Sequence, residues 1–183
     1  MINKKIICRI TDSFPPPWSG LNPGPYELSL AQIAQGHLVH VITKKTKDKI
    51  IDSSMDLDVH RVWGKSIFFE FSILLKFILL NRRFSFDVLH FHGSVGVIVA
   101  SVVRIWFPKI VISRSIHCVR KSQYMRSLVD RNKFYHLKKC FELFMERRAL
   151  KNSDILLPVG KNLEDEIVSL WGIDRENCVT IGN

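Results

Sequence analysis

The apolar positions of the chain fall into two kinds of segment, short unbroken runs and longer runs spaced like a helix face. Ile6 to Ile10, "LVHVIT" from Leu38, "LDVHRV" from Leu57, "FDVLHFHG" from Phe86, "KIVISRS" from Lys109, "DILLPV" from Asp154 and "NCVTI" from Asn177 are of the first kind. Continuous rather than alternating apolar runs predict strands buried on both faces. Between them, "YELSLAQIAQGH" carries Leu28, Leu30, Ala31, Ile33 and Ala34 at helical spacing, with Gly36 placed to end the helix. "VGVIVASVVRIWF" reads as a helix stopped by Pro108, and "LEDEIVSLW" as one closed by Gly172. From Asn132 to Leu150 a long helix is expected, with Phe134, Leu137, Phe141, Phe144 and Met145 on one face.

"SIFFEFSILLKFILLNRRF" is the most hydrophobic segment. Only about fourteen residues separate Ile67 from Leu80, and they include Glu70 and Lys76, whereas a membrane span needs roughly 20 apolar residues. It reads as a helix buried around most of its circumference. Lys76, Arg82 and Arg83 keep a second option open, a helix lying on a membrane surface.

Strands alternating with helices specify an α/β fold, a Rossmann-like doubly wound and mostly parallel sheet with helices on both faces. At 183 residues the chain is one domain by length. No repeat or low-complexity tract interrupts it. The N-terminal apolar run is broken too early by Arg9 and Asp12 for a signal peptide, so secretion is not expected. Cys8, Cys118, Cys140 and Cys178 lie far apart without a CxxC pair, which reads as scattered reduced thiols. The net charge of +10 points to an anionic partner: nucleic acid, membrane surface or phosphorylated ligand. Ten of the basic residues fall between Arg120 and Lys151 against three acidic ones, a solvated helix face or an acceptor or membrane site. A nucleic-acid binder ranks last, because no recognisable binding motif accompanies the charge.

In an open α/β sheet, ligands bind beyond the carboxyl ends of the strands. That rule selects four loops: Phe14 to Pro25, the tip of "HFHGS", "SIHCVRKS", and Pro158 to Asn162. The first, "FPPPWSGLNPGP", packs five prolines and two glycines into twelve residues, so neither strand nor helix can run through it. No GxGxxG follows the first strand, and Thr43 and Lys44 stand where a dinucleotide site would place an acid. GxxxxGK[ST] and GxSxG are absent too.

The order "FPP…SG…YELSLAQIAQGHLVHVIT", "FDVLHFHGS", "IVISRSIH", "ERRALKNSDILLPV", "VTIGN" resembles the N-terminal domain of glycosyltransferase family 4. That family consists of retaining enzymes of the GT-B fold, two Rossmann-like domains facing a cleft, and the resemblance runs from about Lys5 to Asn183. It implies transfer of a sugar from a nucleotide-sugar donor to a glycan or lipid-linked acceptor, without a metal, and no DxD cluster is visible. It assigns His117, near the donor phosphates and transferred sugar, as the catalytic candidate. Ser19, Gly20, His92, Gly93, Arg120 and Lys121 are the substrate-binding candidates. Ser19 replaces a frequent glycine, Cys118 a frequent Gly or Thr, and Gly160 a frequent serine. "NPGP" departs from the pattern and predicts a first helix starting late, near Pro25. Phe14 and Trp18 are expected to be available to an acceptor. The expected partners are the nucleotide sugar, the acceptor, a C-terminal donor-binding domain that the family carries beyond "VTIGN", and an anionic membrane surface. The expected location is cytoplasmic, peripheral on the inner face of the membrane. By itself this half is expected to be inactive. The alternative is a non-catalytic binding or regulatory module of the same fold.

Overall fold

A computed structural model describes residues 3–15, 23–45, 57–65, 67–121 and 133–182. Among the described residues six strands form one sheet: β1 (Ile6–Thr11), β2 (Leu38–Lys44), β3 (Asp58–Val62), β4 (Val88–His92), β5 (Val111–Ile116) and β6 (Ile155–Pro158). Every pairing is parallel, and the order is β3-β2-β1-β4-β5-β6. The order reverses between β1 and β4. This is the doubly wound arrangement in which the crevice at the reversal is the natural ligand site.

The helices among the described residues are α1 (Pro23–Ala34), α2 (Ile67–Phe84), α3 (Val97–Trp106), α4 (Lys133–Lys151) and α5 (Lys161–Trp171), with a 3-10 turn at Arg175–Asn177. Alternate residues of the strands feed the two faces. Cys8, Ile10, Ile42, Leu89, Phe91 and Ile112 meet Ile73, Phe77, Leu80, Val99 and Val103 of α2 and α3 in the main core. Ile7, Val39 and Val41 point the other way, onto Tyr26, Leu30 and Ile33 of α1. Phe77, wholly buried, gives up water at a gain of about 1.5–3 kcal/mol, and it stacks on Phe86 with ring centroids 5.8 Å apart.

Helix α1 begins at Pro23, late and close to Pro25 as expected. Both prolines fall in the first turn, where backbone N–H groups have no helical acceptor and their loss costs nothing. Along α4, Leu137, Phe141 and Phe144 are exposed, and the helix meets the fold through its last turns, where Glu146, Ala149 and Leu150 are buried. α2 is half buried rather than buried around most of its circumference. Phe69, Ile73, Phe77 and Leu80 face inward, while Phe68, Phe71, Leu75 and Leu79 are exposed. "NCVTI" is no full strand. It makes one bridge, Cys178 to Leu156, and donates from Val179 and Ile181 to the carbonyls of Leu156 and Pro158. Val179 and Ile181 remain exposed, so little apolar burial extends the ladder.

Candidate functional site

The carboxyl ends of β1, β4 and β5 frame a cavity of about 230 Å³. Thr11 to Ser13 after β1, His92 to Ser94 after β4, and Ile116 to Cys118 after β5 form its rim, and Arg120, Glu146 and Leu150 close the far side. It opens where the strand order reverses.

Two glutamates shape the loops of this rim. Glu70 of α2 accepts from the backbone N–H of Gly96 at 2.7 Å and of Ile98 at 3.1 Å, capping α3 with a carboxylate from another helix. The start of α3 needs this, because Gly96 is in the left-handed region at φ 77 and offers no side-chain cap. Burial pushes the Glu70 carboxyl up, and the N–H groups of Gly96 and Ile98 pull it partly back. Glu146 of α4 does the same after β5, accepting from the N–H of Arg120 at 2.8 Å and of Lys121 at 3.3 Å. Its carboxyl too is raised, first by burial.

Two arginines are buried beneath the rim. Arg114 of β5 is 2% exposed, donates from Nη1 to the carbonyls of Gly93 at 2.6 Å and Val95 at 2.9 Å, and lies over the Phe91 ring. It therefore holds the β4–α3 loop against the sheet. Arg9 of β1 is wholly buried, bonded to Gln32 of α1 and to His92. Burial lowers both arginines to about 10, which leaves them charged at neutral pH. Neither arginine stands out under the strand-end rule. An arginine in the middle of an apolar run, as in "IICRIT" and "VISRSI", is the signal, since charge is rarely buried without a purpose.

The candidate residues divide. His117 is exposed on the cavity rim, its ring nearly parallel to that of His92 with centroids 6.5 Å apart. His92 is buried at the end of β4 and lowered to about 3, by burial first and by Arg9 next. Gly93, at φ 69, lines the cavity beside them. Arg120 reaches the same space and its side chain bonds Ser94 Oγ. Lys121 does not join this group: its Nζ donates to the Leu170 carbonyl at 2.8 Å and sits 4.7 Å from the Trp171 ring centre. Ser19, Gly20 and Trp18 lie outside the described residues, as do the middle of "FPPPWSGLNPGP" from Pro16 to Asn22 and Ser122 at the end of "SIHCVRKS". Phe14 is not available to an acceptor. It is 1% exposed and packs edge-on against Tyr26, because the chain turns back over α1 directly after β1. Arg61 of β3 secures the entry to the proline loop by donating to the Pro15 carbonyl at 2.9 Å. The Pro158 to Asn162 loop stays out of the cavity lining. Instead Glu164, just beyond it, binds Lys161, Arg175 and Thr180, which ties "VTIGN" to α5. Among the described residues no cluster of His, Cys, Asp and Glu could hold a metal ion.

The model for Glycosyltransferase Family 4 matches residues 18–183. The chain belongs to that family. Among solved structures it is similar to sucrose-phosphate synthase from Thermosynechococcus elongatus, with a TM-score of 0.73 and 15% identity, over 98% of this chain and 48% of that one. The catalytic domain of starch synthase IV from Arabidopsis thaliana, bound to ADP and acarbose, gives a TM-score of 0.65 at 14% identity, over 99% and 52%. The lipopolysaccharide outer core galactosyltransferase WaaB gives 0.64 at 12%, over 97% and 45%. No match is found among curated proteins. This family 4 domain thus spans about half the length of the solved proteins it matches, and the likeness is one of fold: a Rossmann-like half of a GT-B architecture.

Proposed function

We propose that this domain is the acceptor-binding half of a retaining glycosyltransferase, moving a sugar from a nucleotide-sugar donor to a glycan or lipid-linked acceptor. The observation that carries the reading is the cavity at the strand reversal, where His92, Gly93, His117 and Arg120 converge on a family 4 scaffold. Departure of a nucleotide diphosphate leaves positive charge on the sugar and negative charge on the phosphate. A site of this kind works by holding the reactants and by aiming donors at the developing charge. His117 would donate to the sugar or phosphate, and Arg120 would face an anionic group. Catalysis would require a second Rossmann-like domain to supply the donor surface, so the chain alone is expected to be inactive. Purified residues 1–183 incubated with a panel of nucleotide sugars should show no transfer, and measurable turnover would refute that part. Saturable binding of an acceptor glycan, lost in His117→Ala, supports the reading; acceptor binding that ignores the cavity supports a non-catalytic module instead.

The acceptor side is proposed to meet an anionic membrane from the cytoplasmic side. Supporting this, α2, α3 and α4 expose Phe68, Phe71, Leu75, Leu79, Ile105, Trp106, Phe141 and Phe144, with Arg82, Arg83, Arg147 and Arg148 exposed nearby in sequence. No helix among the described residues is long and apolar enough to cross a membrane. Co-sedimentation with anionic vesicles should fall as salt rises. Equal binding to neutral vesicles would remove the electrostatic half of the idea.

A further inference from the structure

The face of the sheet turned toward α1 is polar at its centre, where a parallel sheet is ordinarily apolar. Arg9, His90, His92, Ser113 and Ser115 lie on it and all are buried. His90 is fully matched, with Nδ1 2.8 Å from Ser113 Oγ and Nε2 3.0 Å from Ser115 Oγ. His92 is not. Its Nε2 lies 2.7 Å from Arg9 Nη1, and a guanidinium has donors only. Nε2 must therefore accept, which in a neutral ring places the proton on Nδ1. That Nδ1 is buried without a hydrogen-bond partner among the described residues. Its residue is 9% exposed and lines the cavity with its ring against His117.

We propose that Arg9 is a positioning residue that fixes His92 as its Nδ1–H tautomer, making His92 a hydrogen-bond donor for a hydroxyl or phosphoryl oxygen of the substrate beside His117. The identity of that substrate rests on the sugar-transfer reading; the tautomer does not. Arg9 is itself held from the α1 side by Gln32, so the guanidinium has one place to point. Burial and the neighbouring arginine charge both oppose protonation of His92, so the ring remains neutral and Nε2 stays an acceptor.

The test is ring-nitrogen NMR on the whole chain labelled with ¹⁵N-histidine, since the tautomer has a direct signature there. Wild type should show His92 with the proton on Nδ1. Arg9→Met should populate the Nε2–H form, and Arg9→Lys should restore Nδ1–H. An Nε2–H tautomer in wild type overturns the proposal without any variant, so it stays testable even if Arg9→Met fails to fold. An unchanged tautomer in a folded Arg9→Met overturns it as well. UDP-N-acetylglucosamine, N-acetylglucosamine and inorganic pyrophosphate are then titrated separately. A shift of the His92 Nδ1 resonance with pyrophosphate identifies a phosphoryl oxygen, and one with the free sugar identifies a hydroxyl. No response to any of the three overturns the ligand role. Absence of saturable acceptor-glycan binding with the tautomer result intact refutes the functional reading alone.

Discussion

Replacing Glu70 by alanine should destabilise the domain far more than its position on a half-exposed helix suggests. The carboxylate spans from α2 to α3 and accepts two backbone N–H bonds, at 2.7 and 3.1 Å. Hydrogen bonds to a charged group contribute about 1.5–3 kcal/mol each. The carboxyl is also raised by burial, so part of that gain offsets its desolvation. A net loss of about 2–3 kcal/mol follows for Glu70→Ala. For a chain of this size that corresponds to a fall in Tm of about 4–12 °C. Glu70→Gln keeps one acceptor and should lose roughly half as much. The pH dependence has a definite sign. A carboxyl raised on folding contributes stability that is present below its unfolded pKa, about 4.3, and is lost as pH rises through the folded value. The Tm advantage of wild type over Glu70→Gln should therefore shrink as pH rises from about 4 toward neutrality. Thermal unfolding followed by circular dichroism across that range measures both effects. A Glu70→Ala Tm within about 1 °C of wild type would refute the capping account, and an advantage that grows with pH would refute the dominance of burial over the N–H bonds in raising its carboxyl.

Three further outcomes follow from the same geometry. In an active enzyme containing this domain, His117→Ala should lower kcat by about 10²–10³-fold, the usual cost of one aimed donor; because His117 is exposed, Tm should hardly move. Cys118, exposed on the cavity rim, should react with a thiol reagent and be protected by bound substrate, whereas Cys8, wholly buried with its thiol pushed far up by burial, should react only on unfolding; mass spectrometry of the modified chain distinguishes them. The double variant Phe71→Ser, Leu75→Ser should lower vesicle binding at least tenfold, since an inserted side chain of this size contributes about 1.5–3 kcal/mol, and should leave the fold intact because both side chains are exposed.

Much of the fold was legible in the sequence because a parallel sheet demands a particular pattern. Strands covered on both faces must be continuously apolar, and "IICRIT", "LVHVIT" and "KIVISRS" announce themselves in that way. Gly36, at φ 88, and Gly172, at φ 60, end their helices as their positions foretold. The overestimate of burial on α2 has a plain cause. Helical periodicity tells which residues share a face but not whether a partner covers it. Phe141 and Phe144 of α4 are spaced like core residues and lie exposed, and α2 carries two apolar faces of which only one is covered. Phe14 failed in the opposite sense, since a loop aromatic close to α1 was free to turn inward.

The candidate site shows the same division. Sequence order alone placed His92, Gly93, His117 and Arg120 at strand ends, and the strand-end rule put those ends on one side of the sheet. It could not say that Lys121, one residue from Arg120, turns to Trp171 and the Leu170 carbonyl, because a helical turn separates adjacent side chains by about 100°. Nor could it pair Glu70 with Gly96, Glu146 with Arg120, or Arg9 with His92, contacts that span 26, 26 and 83 residues. The sequence by itself determined the elements, their alternation and thus a doubly wound sheet with its ligand end. Only the tertiary structure decided which charges are buried, which helix starts already hold a carboxylate, and which histidine nitrogen carries the proton. Local pattern sets the backbone's periodicity, whereas charge and hydrogen bonding are settled by whatever the fold brings within about 3 Å.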